Sequence, residues 1–95
     1  MDRRGLSRRS LLRSCRYRIG SREIQARLID ISWDGARVGD ASEVPKAGAH
    51  VSLLLGSGDS EAEINGYVIH AEDTAFGVKF AETRGTVMRK LRGLV

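Results

Sequence analysis

The chain has few of the residues that most directly announce chemistry. It holds a single cysteine, Cys15, in 95 residues, which excludes an internal disulfide and any metal site built from several thiolates. Its two imidazoles, His50 and His70, stand outside any spaced ligand motif, so packing roles outweigh metal binding for both. No apolar run approaches the ~18–20 residues of a membrane span; the nearest candidate, VSLLL at 51–55, is the size of a strand. Aromatics are scarce too, one Trp, two Tyr and two Phe, and no pair of them forms a stacking platform for single-stranded nucleic acid. Asp30 and Asp34 are the only carboxylates that invite a catalytic reading. No metal cluster or nucleophile–base arrangement accompanies them, so no enzyme is expected.

What the chain does have is arginine, unevenly placed. Residues 1–22 carry eight arginines, no lysine and one acid, a charge of +7; residues 23–95 carry eight basic and eleven acidic side chains, −3, which makes up the +4 of the whole. A basic leading stretch (1–22) followed by a mildly acidic body (23–95) describes the charge best; the expected division is a flexible basic arm at 1–7 and a single domain at 8–95 that includes the C-terminal helix. Arginine's planar fork suits bidentate contact with phosphate or with the N7/O6 edge of guanine. The stretch SRRSLLR (7–13) imitates a twin-arginine export signal, but Arg16, Arg18 and Arg22 interrupt the apolar segment that such a signal needs. An organellar transit peptide would be cut away, yet a strand starts close behind. Both targeting readings fail, and the expected location is the cytoplasm.

From about Ser14 onward the pattern is strands and tight turns. Cys15, Tyr17 and Ile19 alternate with polar residues, which assigns Cys15 to the core although Arg13 and Arg16 flank it. Gly20-Ser21 fits a two-residue hairpin loop. Ile24, Ala26 and Leu28 mark the next strand (23–32), followed by strands at 36–38, 51–55, 62–71 and 75–80. After Glu82 the apolar spacing changes to three and four residues, through Val87, Leu91 and Leu94, which predicts a helix over 83–95 capped by Thr83 or Thr86. Short strands without interspersed helices imply a small antiparallel barrel with one C-terminal helix.

Two polar constellations remain. In RRSLLR (8–13), Arg9 and Arg13 are spaced to converge on one anion; on spacing alone a solvated basic stretch is the preferred reading. In DISWDG (30–35), a strand would project Asp30 and Ser32 from one face, and Gly35 permits a positive φ for a tight reversal. A carboxylate there can accept two parallel N–H bonds, such as the N1–H and N2–H₂ of guanine; an Asx-type turn is the plain alternative.

Together and in this order, Arg9-Ser10-Leu11-Leu12-Arg13 and Asp30-Ile31-Ser32-Trp33-Asp34-Gly35 resemble the RxxxR and [D/N]xSxxG signatures of the PilZ domain family. PKAGAHVSLLL, NGYVIHAE and FGVKF resemble its later strands. The resemblance implies a six-stranded antiparallel β-barrel with a C-terminal helix, and a non-catalytic bacterial receptor for the second messenger cyclic di-GMP, without further cofactor. It implies that Arg9 and Arg13 grip phosphate and guanine from a leading loop, with Asp30, Ser32 and Gly35 on the opposite side. Arg8, which makes the first motif RRxxxR, is associated in that family with an intercalated pair of ligand molecules. Trp33 is a candidate to stack on a base or to pack on the barrel. A downstream protein partner is implied but not identified. Two other classes stay open: a basic nucleic-acid-binding barrel, and a ligand-independent adaptor of the same fold.

Overall fold

Two strands begin the structure, β1 (Arg9–Ile19) and β2 (Arg22–Ile31), folded back on each other around Gly20-Ser21. Gly20 takes φ +60°, the left-handed conformation that the first position of such a hairpin loop demands. The computed structural model describes residues 9–57 and 60–92, with side chains over 14–56 and 61–92. The chain continues through β3 (Gly35–Gly39), β4 (His50–Ser57), β5 (Ser60–Ala71), β6 (Phe76–Phe80) and the helix α1 (Arg84–Arg92). Every paired neighbour is antiparallel, in the order β1-β2-β3-β6-β5-β4, and β4 pairs with β1 to close the barrel. The closing seam is short, Arg16–Arg18 of β1 against Ser52–Leu54 of β4, and pairing there covers that part of two strands that would otherwise be sheet edges.

The period-two residues fill the interior as expected. Cys15, Tyr17, Ala26, Leu28, Val38, Leu53, Ile64, Phe76 and Val78 are buried in one cluster. The Tyr17 ring meets Phe76 edge-on, with centroids 4.9 Å apart and planes at 74°, and its hydroxyl donates to the Glu43 carbonyl. A buried phenol thereby keeps a partner for its polar end. Burial pushes the Cys15 thiol up to about 11, against a weaker downward pull from Arg16. Arg16 does not activate it.

Helix α1 rests on packing. Thr83 caps it: its Oγ1 accepts the Thr86 N–H at 3.2 Å, and its carbonyl accepts the Val87 N–H at 3.0 Å. Gly85 costs about 1 kcal/mol relative to alanine within a helix. Val87, fully buried in the barrel's core cluster, returns about 1.5–3 kcal/mol, so the docked helix is favoured. A polar chain secures the same contact. The Ser52 hydroxyl donates to Asn65 Oδ1 at 2.8 Å, Asn65 donates twice to Glu82, and Lys90 of α1 pairs with Glu82 at 2.8 Å.

Two expectations are corrected or bounded. The first strand starts at Arg9 rather than near Ser14, so RSLLR is strand backbone, not a leading loop. The arm at 1–7, Arg8, and the helix end expected at 93–95 lie outside the described residues.

Candidate functional site

The site takes shape where strict alternation fails. In β2, Ile24, Ala26 and Leu28 point inward, and unbroken alternation would drive Asp30 into the barrel as well. Burying an unpaired carboxylate costs several kcal/mol. Instead the register shifts against β3: Leu28 pairs with Val38, but Asp30 pairs with Arg37, so Ile29 is an extra residue. This bulge reverses the phase of the strand end. Ile31 becomes the buried residue and Asp30 turns to half-exposed outer surface. β5 carries a matching bulge, since Val68 pairs with Val78 and His70 with Gly77, leaving Ile69 extra.

Beyond Ile31 the chain turns over Ser32–Gly35. The Ser32 N–H donates to the Gly35 carbonyl at 2.8 Å, and the Asp34 N–H donates to the Ser32 hydroxyl at 3.3 Å. Ser32 therefore lies in a turn, not in a strand. Gly35 is not in the left-handed region, contrary to the sequence expectation. It is needed for a different reason: a Cβ there would lie 2.3 Å from the Val78 carbonyl oxygen. Only glycine lets β6 approach this closely.

Asp30, Ser32 and Gly35 line one cleft of about 400 Å³ on the outer face of the barrel. Arg37 from β3, Ile69 and His70 from β5, and Gly77 and Lys79 from β6 line it too. Asp34, which lines it as well, is held by Arg84 of α1 through a two-pronged contact of 3.1 and 3.3 Å. Glu72 accepts from His70 Nε2 at 2.8 Å and lies 3.7 Å from Arg37. The hydrogen bond and charge of His70, with a smaller share from Arg37, hold its carboxyl below the usual range.

The RSLLR backbone runs beside this strand end. Arg9 is opposite Ile31, Ser10 opposite Asp30 and Arg13 opposite Leu28, with a register shift between Ser10 and Arg13. The register thus brings the two sequence constellations onto adjacent strands. Trp33 is partly buried against the core cluster and is not among the residues that line the cleft. Sequence reasoning passed over Arg37 and Lys79. Their signal is a lone cation between two inward apolar residues, in Ala36-Arg37-Val38 and Val78-Lys79-Phe80.

Among the described residues no group of three His, Cys, Asp or Glu side chains could hold a metal ion. No helix there is long and apolar enough to cross a membrane. The comparison that decides the family covers nearly every residue: the model of the PilZ domain matches residues 2–95. The chain belongs to the PilZ domain family. Members of that family are, in general, receptors that bind cyclic di-GMP, and the closed six-stranded barrel with its C-terminal helix is the fold the resemblance implied. No curated protein matches the chain.

Proposed function

We propose that this PilZ domain is a non-catalytic cytoplasmic receptor that takes cyclic di-GMP into the cleft at the end of β2. The Asp30 carboxylate accepts the N1–H and N2–H₂ edge of a guanine, and Ser32 adds a hydroxyl from the turn that Gly35 shapes. Arg9 and Arg13 grip phosphate and the N7/O6 edge from β1. Arg8 joins them, and an intercalated pair of ligand molecules occupies each domain. The arginine-rich segment folds onto the ligand, and this ordering switches a surface for a protein partner in motility, biofilm or exopolysaccharide control.

The observation that carries the reading is the meeting of Asp30, Ser32 and Gly35 in one outer-face cleft, with the RSLLR backbone on the adjacent strand. Titration calorimetry with cyclic di-GMP tests it. The expected result is saturable binding at micromolar concentration or tighter, with two molecules per chain. A charged hydrogen bond contributes about 1.5–3 kcal/mol, so Arg13→Ala and Asp30→Ala should each weaken binding at least about tenfold. Absence of heat at micromolar concentrations, or unchanged affinity in both variants, overturns the proposal.

A further inference from the structure

The cleft contains a glycine that the fold does not require. Gly35 and Gly66 are forced by close backbone, since a Cβ would come within 2.3 Å of the Val78 carbonyl oxygen and 2.5 Å of the Lys79 carbonyl oxygen respectively. Gly77 is different. Its φ lies outside the left-handed region, and a Cβ would meet side-chain atoms at ordinary contact distances, Ile69 Cγ1 at 3.6 Å and Cδ1 at 4.0 Å and His70 Cβ at 3.9 Å. A glycine within a strand sacrifices chain entropy and packing, and one common return is the close approach of another group to the backbone. At Gly77 no neighbouring backbone makes that approach, and the residue lines the cleft.

Two cations flank it. Arg37 is the register partner of Gly77, and Lys79 is the partner of Gly35. Arg37 and Lys79 are therefore diagonal neighbours, about 7–8 Å apart at the backbone, on a surface kept low by the two glycines. Lys79 has no ion pair among the described residues. Arg37 is held only loosely by Glu72 at 3.7 Å, and Glu72 keeps His70 at 2.8 Å when Arg37 swings away. An exposed exchange of this kind costs little.

We propose that Gly77 is the seat of a ligand phosphodiester, clamped between Arg37 and Lys79 on the side of the cleft formed by β3 and β6. This inference rests on the cyclic di-GMP reading above and adds a second anion contact to it. The bare glycine lets phosphate oxygens approach the sheet, while a methyl group would lift them away from both cations.

Calorimetric titration of cyclic di-GMP into the full chain, alongside thermal melts, tests the seat. Gly77→Ala should weaken binding about tenfold or more while leaving the melting temperature unchanged or raised, since alanine at a compatible φ stabilises. Lys79→Gln should weaken binding about three- to tenfold and flatten its dependence on salt, and Lys79→Arg should retain both affinity and salt dependence. If Gly77→Ala and Lys79→Gln bind as the wild type does while Asp30→Ala has lost affinity, the seat is refuted and the receptor reading stands. If the wild type itself does not bind, both fall together.

Discussion

Removing the Glu82 carboxylate should loosen α1 from the barrel and erase part of the protein's acid sensitivity. Its Oε2 accepts the Asn65 N–H at 2.8 Å and Asn65 Nδ2 at 3.2 Å, and its Oε1 pairs with Lys90 at 2.8 Å. The side chain is only 14% exposed, so water replaces these partners poorly. Hydrogen bonds to a charged group contribute about 1.5–3 kcal/mol each, but they are not additive within one network. Glu82→Ala should therefore cost about 2–4 kcal/mol. For a domain of this size each kcal/mol moves the melting temperature by about 4–8 °C, so calorimetry should show a fall of at least about 8 °C. The pH dependence has a definite sign. Burial pushes the Glu82 carboxyl up, but the bonds from Lys90 and Asn65 together outweigh it and hold the folded value below the ordinary one. Its contribution is complete above the unfolded pKa of about 4.3 and is lost as pH falls through the lower folded value. Glu82→Gln should thus lose less stability than the wild type between about pH 5 and pH 3. A melting temperature for Glu82→Ala within about 2 °C of the wild type, or an undiminished acid loss in Glu82→Gln, would refute the reasoning.

Gly35→Ala should destabilise by about 1–3 kcal/mol or more, because its methyl group would meet Val78 backbone 2.3 Å away. Urea denaturation reads this directly, and an unchanged midpoint contradicts it. For Cys15, a thiol at about 11 instead of 9.0 exposes roughly 100-fold less thiolate at pH 8. A thiol reagent should therefore label the folded protein at least that much more slowly than the urea-unfolded chain, and equal rates would place Cys15 outside the core.

Strand by strand, alternation was enough to locate the barrel, because one face of each strand had to be buried and period two records that demand. The site was harder to read, because it depends on departures from period two that involve a partner strand. Asp30 illustrates this. Its local alternation points it inward, and only the bulge at Ile29, visible in the pairing with β3, turns it out. Among the described residues the three register shifts fall at apolar doublets, Leu11-Leu12, Leu28-Ile29 and Val68-Ile69. The first doublet also hides the start of β1, since two adjacent apolar residues break the alternation that defined Ser14 as the beginning. Yet Leu53-Leu54-Leu55 carries no shift, because Leu54 on the opposite face is buried too. A doublet is thus a cue that only pairing can resolve. Gly35 was legible as a necessary glycine but for the wrong cause. Its neighbour Val78 lies 43 positions along the chain, beyond the reach of any local turn rule.

The account turns on Asp30 reading the donor edge of guanine, and parallel titrations with cyclic di-GMP and its adenine counterpart test this most directly. Adenine presents an acceptor where guanine presents N1–H, so it would leave the carboxylate facing a lone pair. The account predicts binding of the guanine ligand at micromolar concentration or tighter, and at least about 100-fold weaker binding of the adenine one. Equal affinity for the two, or binding of neither, would contradict it.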